Sequence, residues 1–214
     1  MAHYPIVLTG PLTAVVIGGG QVAERKVQGL LQGGAEVIVI SSRLSSTLAY
    51  LAQTGRIRAR LRRYMPGDLA GARLAIAATN DAAVNAAVAE EACQRGCLIN
   101  VVDDPQRCTF YVPAVVRRGE VAVSISTAAA SPALSRYLRR QLEALIPPEY
   151  GQLAGILAEL RPQWRARESR EHPPTLAWEQ WIEAALALLK EGRVEEAREL
   201  VRGFICQEDG EGAR

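Results

Sequence analysis

The residues most able to do chemistry begin with Gly18, Gly20 and Ala23, in the stretch AVVIGGGQVAERK. A Gly-x-Gly-x-x-Ala spacing, after an apolar run and before a helical one, suits the pyrophosphate of a dinucleotide. Gly18 can make the tight turn, Gly20 leaves the backbone open to the phosphates, and Ala23 lets the helix pack closely on the strand. Backbone N–H groups over Gly19, Gly20, Gln21 and Val22 then face the anion at the positive end of the helix. The bland alternative is a purely structural turn.

Further along, Ser41-Ser42-Arg43 ends a second apolar run. An acid that would hold the adenosine ribose is missing there. Ser41 can hydrogen-bond the ribose, and Arg43 can either take an extra phosphate or be an exposed charge, so local chemistry leaves both NAD and NADP open. Thr79-Asn80-Asp81 follows another apolar run. These residues can line a ligand crevice and also cap the next helix. INVVDDP at 99–105 places Asp103 and Asp104 just beyond a fourth run. Either carboxylate can take or position a proton during hydride transfer; equally, an Asp before a Pro is ordinary turn chemistry.

These residues need a scaffold. Apolar runs at 14–18, 36–40, 73–78 and 97–102 read as strands, and the 3.6-residue period of 21–32, 44–53 and 82–95 reads as helices. The alternation is that of right-handed parallel crossovers. RIRARLRR at 56–63 alternates Ile57, Ala59 and Leu61 with arginines, as a solvated edge strand would. After residue 112 the pattern changes. Strands at 113–118 and 120–127 flank Gly119, and Ser131-Pro132 opens a helix that Pro147-Pro148 interrupts. A helix over 149–160, a polar break at 161–174 and a helical pair at 176–190 and 193–206, split by Gly192, complete the chain. The expectation is an α/β protein: an N-terminal Rossmann-like nucleotide-binding domain over 1–112, a small α+β dimerisation region over 113–145 and a helical C-terminal region over 146–214.

Composition narrows the function. The chain has 214 residues, and its 25 basic and 23 acidic residues nearly cancel. No global field calls for nucleic acid or an anionic membrane. An aromatic content of 5% leaves little for base stacking. There is no membrane-length apolar stretch, and MAHYPIVLTGPLT lacks the pattern of a signal peptide. Four cysteines, at 93, 97, 108 and 206, make no secreted-type framework, and a cytoplasmic setting is expected. Cys93, Cys97 and Cys108 form no paired CxxC array, and His3 and His172 are the two histidines, so no metal site is expected. Trp178 and Trp181 read as helix core or interface.

Several ordered pieces carry a family resemblance: YPIVL near the start, VVIGGGQVAERK at 15–26, AIAATND at 75–81, NVVDDPQRCTFYVPAVVRRG at 100–119 and SISTAAASPALSRYLRR at 124–140. On these the chain resembles the precorrin-2 dehydrogenase/sirohydrochlorin ferrochelatase family, which includes the N-terminal module of bifunctional siroheme synthases. The resemblance implies NAD-dependent dehydrogenation of precorrin-2 to sirohydrochlorin within siroheme biosynthesis. Many relatives also insert Fe2+, which would pass through as a transient substrate. It favours NAD over NADP, puts the family's key aspartate at Asp103, and implies a homodimer.

The implied substrate carries many carboxylates. Arg117, Arg118, Arg136, Arg139 and Arg140 are candidates to attract it, each with a solvated surface role as the alternative. Ser126, Thr127 and Ser131 fall, by resemblance, near the tetrapyrrole region, where their hydroxyls can bind propionates or acetates; turn and cap stabilisation is the other reading. The chain departs from the family at Ala128-Ala129, where relatives commonly carry glycines. Two other functions stay open: a dehydrogenase without chelatase activity, and a non-catalytic nucleotide-sensing module. Residues 161–214 have no assigned role; contact with another pathway enzyme is one reading.

Overall fold

Four runs rich in Val, Ile, Leu and Ala become buried strands because both of their faces are covered by helices or loops. The computed structural model describes residue 4 and residues 6–128, 130–165 and 175–207. His3, Ala129 and His172, and the side chains of Trp164, Leu176, Trp178 and Cys206, lie outside the described residues.

In chain order the first unit, residues 1–112, holds β1 (Thr13–Ile17), α1 (Gln21–Gln32), β2 (Glu36–Ile40), α2 (Ser46–Gln53), β3 (Arg58–Arg60), β4 (Leu74–Ala77), α3 (Ala82–Arg95) and β5 (Leu98–Val101). The strands pair in parallel in the order β3-β2-β1-β4-β5. Successive side chains of a strand point to opposite faces, and β1 divides accordingly. Ala14 and Val16 join a core with Ala23 and Val27 of α1 and Leu48 of α2. Val15 and Ile17 join a second core with Leu69, and with Val88 and Ala92 of α3. The strand order reverses between β1 and β4, which opens a crevice at their carboxyl ends, where such sheets bind ligands.

The Arg-rich edge strand is shorter than its pattern predicts. Ile57 is buried, but β3 ends at Arg60 and Leu61 is 70% exposed. The reason is electrostatic. Arg60 and Arg62 converge on the buried Asp68 at 2.9 and 2.6 Å, which turns the chain out of the sheet. Arg62 and the backbone N–H of Met65 hold the Asp68 carboxyl down at about 2 against the opposing effect of burial. A second buried carboxylate, Glu91, accepts from Tyr64, Arg95 and the N–H groups of Gly67 and Leu69. Burial works against its charge, yet these donors keep its pKa below the usual carboxylate value.

The second unit, residues 113–214, holds the antiparallel pair β6 (Ala114–Arg118) and β7 (Val121–Ile125), then α4 (Pro132–Leu145), α5 (Glu149–Arg165), α6 (Thr175–Lys190) and α7 (Val194–Gln207). Gly119 makes the hairpin turn at φ +53°. α5 runs through Arg161 and Pro162 to Arg165, so the expected polar break does not start at 161. Leu153, Ile156 and Leu160 of α5 pack with Trp181, Ala185 and Leu189 of α6 and Ala197 and Val201 of α7. α4 buries none of its residues.

Candidate functional site

At the carboxyl end of β1, Gly18 adopts φ +120° and donates its N–H to the Ile40 carbonyl at 2.9 Å. A Cβ there would lie 2.3 Å from the Ala78 carbonyl oxygen. A Cβ on Gly19 would lie 1.9 Å from the Arg43 carbonyl oxygen, because the 41–45 loop is strapped over the turn. The Ser45 N–H donates to Gly19 O at 2.8 Å, and the Ser45 hydroxyl donates to Glu24 at 2.6 Å. Gly20 differs: a Cβ added there meets nothing within 4 Å.

Gly20 is also the N-cap of α1 and supplies no side-chain acceptor. By contrast, Ser45, Asp81 and Ser131 cap α2, α3 and α4 with their own oxygens. The first N–H groups of α1, at Gln21, Val22 and Ala23, therefore lie at an uncapped, backbone-open helix start. Such a start suits a pyrophosphate, and the residues present fit a dinucleotide.

The remaining predicted cofactor residues surround the same crevice. Ser41 turns its hydroxyl to the Arg43 carbonyl at 2.7 Å, while Ser42 and Arg43 are exposed. The Thr79 hydroxyl bonds to Asn85 at 2.7 Å, and Asp81 accepts from the N–H groups of Ala83 and Val84. Asn80 is exposed between them.

Asp103 is exposed just beyond β5 and has a left-handed backbone, φ +59°. Asp tolerates this region better than most residues. Its loop is closed on itself. The Thr109 N–H donates to Ile99 O, and the Thr109 hydroxyl accepts from Ile99 N–H, both at 2.8 Å. The Cys108 sulfur accepts from Val101 N–H at 3.2 Å. Asp104 is ion-paired to Arg107.

In the second unit the predicted substrate residues divide. The Arg118 guanidinium donates to the carbonyls of Ile146 at 2.8 Å, Glu143 at 3.0 Å and Arg117 at 2.9 Å, closing the end of α4. Arg139 pairs with Glu143. Arg117, Arg136 and Arg140 are exposed and make no ion pair among the described residues. The Ser131 oxygen caps Leu134 N–H, the Ser126 oxygen accepts from Ala128 N–H, and the Thr127 hydroxyl lies 3.0 Å from that of Ser135. Ala128 sits at φ +56°, a conformation made for glycine.

Residues 9–114 match the family model described as "Putative NAD(P)-binding". The siroheme synthase of Methylococcus capsulatus is 41% identical over 203 residues, covering 94% of this chain and 43% of that protein. That of Methylobacillus flagellatus is 41% identical over 192 residues, covering 89% of this chain and 41% of that protein. Over most of its length the chain is similar to siroheme synthases. It spans about two fifths of the length of these relatives. Its fold is that of a solved structure, SirC, precorrin-2 dehydrogenase: the TM-score is 0.67 at 24% identity, covering 94% of this chain and 98% of that one.

Lys26, in the second turn of α1, is half-buried. Burial, and then Arg25, lower its pKa, while Cys108 and Asp103 act in the opposite sense. Val102 and Phe110 pack into the core that holds Ala23 and Val27 of α1. Among the described residues no helix is long and apolar enough to cross a membrane, and no group of three or more His, Cys, Asp and Glu is placed to hold a metal ion.

Proposed function

We propose that the chain is a NAD-dependent dehydrogenase that oxidises precorrin-2 to sirohydrochlorin. The observation that carries this is the pairing of a backbone-open, uncapped helix start at Gly20 with a carboxylate, Asp103, that makes no ion pair among the described residues, on the same carboxyl edge of the sheet. Homology to siroheme synthases supplies the substrate class.

The N–H groups of Gly20, Gln21 and Val22 hold the pyrophosphate, and Gly18 and Ala23 give the close backbone approach that brings it there. Ser41, Ser42, Thr79 and Asn80 line the nucleoside side, and Asp81 fixes α3 beside them. The nicotinamide, when bound, accepts the hydride. A proton must also leave the macrocycle as it becomes conjugated, and Asp103 takes or steers that proton. Arg117, Arg136 and Arg140 attract the substrate carboxylates as point charges on exposed stems. The second unit forms a homodimer, with the apolar stripe of α4 as its base.

The test supplies precorrin-2 anaerobically and follows NADH formation and the product spectrum. Asp103→Asn is the variant of choice because Asn keeps the left-handed backbone and removes only the charge. Turnover should fall at least about tenfold while NAD affinity holds. NAD binding without turnover by the unaltered protein favours nucleotide sensing. Sirohydrochlorin with Fe2+, corrected for spontaneous insertion, decides whether the chain also handles iron as a substrate.

A further inference from the structure

We propose that the adenosine end of the nucleotide site accepts a 2′-phosphorylated dinucleotide, NADP, at least as tightly as NAD, with Arg43 and Ser42 holding the extra phosphate. This role of Arg43 rests on the reading of the Gly18–Ala23 turn as a dinucleotide site, and concerns only the ribose at its far end.

In a sheet of this topology the adenosine ribose lies at the carboxyl end of the second strand, about 20 residues beyond the glycine turn. Here that strand is β2, paired with β1 so that Ile40 stands opposite Ile17. An NAD-selective site carries a carboxylate at this point, which accepts from the ribose hydroxyls and repels a phosphate. This chain carries Ser41, Ser42 and Arg43 instead. The acid on the first turn of α1, Glu24, is committed to the Ser45 hydroxyl at 2.6 Å. The fold fixes where Arg43 sits. Its carbonyl oxygen would lie 1.9 Å from a Cβ on Gly19, and the Ser45 N–H donates to Gly19 O at 2.8 Å. The Ser41 hydroxyl donates to the same Arg43 carbonyl at 2.7 Å. The backbone of Arg43 is thus held against the phosphate-binding turn. Its side chain is exposed and makes no hydrogen bond or ion pair among the described residues, and the same holds for the Ser42 hydroxyl.

The charge at this corner of the sheet favours an anion. β3 ends beside β2, with Ile40 opposite Arg60. The segments at the carboxyl ends of the two strands, 41–45 and 60–68, hold Arg43, Arg60, Arg62 and Arg63 against one acid, Asp68. Arg60 and Arg62 share Asp68 at 2.9 and 2.6 Å, so even this ion-paired group keeps a net positive charge. A 2′-phosphate brought here by the pyrophosphate meets a planar guanidinium with its donors unused, a geometry that matches two phosphate oxygens at once. The Ser42 hydroxyl adds a third donor. A bare ribose finds no carboxylate on the 41–45 segment to accept from its hydroxyls. The extra phosphate therefore supplies the contact that the missing acid would give to NAD.

The test is calorimetric titration of the full chain with NAD and NADP, and with two redox-inert fragments, 2′,5′-ADP and 5′-AMP, which differ in the ribose phosphate. NADP should bind at least as tightly as NAD, and 2′,5′-ADP about tenfold tighter than 5′-AMP. Arg43→Ala should weaken NADP and 2′,5′-ADP about tenfold and leave NAD within about twofold, because the exposed side chain can be removed without cost to the fold. Arg43→Asp supplies the missing ribose acceptor and should turn the preference to NAD. The difference in NADP affinity between parent and Arg43→Ala should narrow as salt rises. Gly20→Ala should weaken both dinucleotides alike, as two ligands of one turn. NADP bound more weakly than NAD by the parent overturns the proposal. So does an Arg43→Ala protein that keeps its NADP affinity, or one that loses NAD and NADP equally. NAD bound with NADP refused removes the phosphate role and leaves the dehydrogenase reading standing, whereas a chain that binds neither dinucleotide removes both.

Discussion

Gly18 lies so close to the end of β4 that a Cβ on it would fall 2.3 Å from the carbonyl oxygen of Ala78. Two residues later, at Gly20, a Cβ would meet nothing. The two glycines of one motif therefore serve different ends. Gly18 is required by the fold itself, through contact and through its φ of +120°. Nothing among the described residues requires a glycine at Gly20.

Separate substitutions should split these roles. Gly18→Ala should destabilise the first unit by roughly 2–4 kcal/mol, since backbone must shift and the left-handed conformation is strained. Gly20→Ala should leave the melting temperature near that of the unaltered protein, as its φ of −88° suits alanine. Its NAD affinity should drop about tenfold or more, from a methyl group set where the pyrophosphate belongs. Thermal melts and nucleotide titration check both. Equal NAD affinity in Gly20→Ala and the parent would dissociate this turn from the cofactor.

The Asp68 cluster predicts an acid-sensitive contribution to stability. Its carboxyl is held at about 2 in the folded chain, well below the ordinary value of 3.8. A depressed pKa stabilises the fold fully above the ordinary value, and that contribution is lost as pH falls through about 4 toward about 2. Asp68→Asn should cost about 1–3 kcal/mol near neutrality, because Arg60 and Arg62 lose their counter-charge. The difference between parent and variant should shrink across that acid window. Urea melts at pH 7 and at pH 3 measure it, and a difference independent of pH would contradict the account.

Ala128 offers a test of strain rather than of contact. Its φ of +56° costs an L-residue roughly 1–2 kcal/mol, whereas glycine adopts it freely. Ala128→Gly relieves that strain and loses part of the gain to extra freedom in the unfolded chain. The melting temperature should rise slightly or hold. A clear fall would mean that the methyl group packs usefully.

Much of the first unit was legible because its signals are local. The apolar runs of β1 and β2, the spacing Gly18-x-Gly20-x-x-Ala23 and the cap at Asp81 act within a few residues. What the sequence hid depends on segments meeting across space. Arg60 and Arg62 look like a solvated edge until Asp68 is seen folded beneath them. Arg118 donates to the carbonyls of Glu143 and Ile146, which lie far from it in the sequence. Each is a long-range consequence of burial, which a residue's neighbours in sequence do not encode.

The apolar stripe of α4 carries the last prediction. Leu134, Tyr137, Leu138 and Leu145 recur at intervals of three, four and seven, which places them along one face of the helix. Leu145 is 69% exposed and Leu134 48%, although both are large and apolar. A contiguous apolar stripe left in water is a marker of association, and a second copy of the chain is the occupant that the proposed homodimer supplies. Leu134→Asp with Leu145→Asp should cost a single protomer little, since neither side chain is buried there. Across an interface it would bury two unpaired carboxylates per chain, at several kcal/mol. Solution mass measurement should give twice the mass of one chain for the parent and a single chain for the double variant. Should the parent itself run as a single chain at micromolar concentration, α4 must be covered by something other than its own copy.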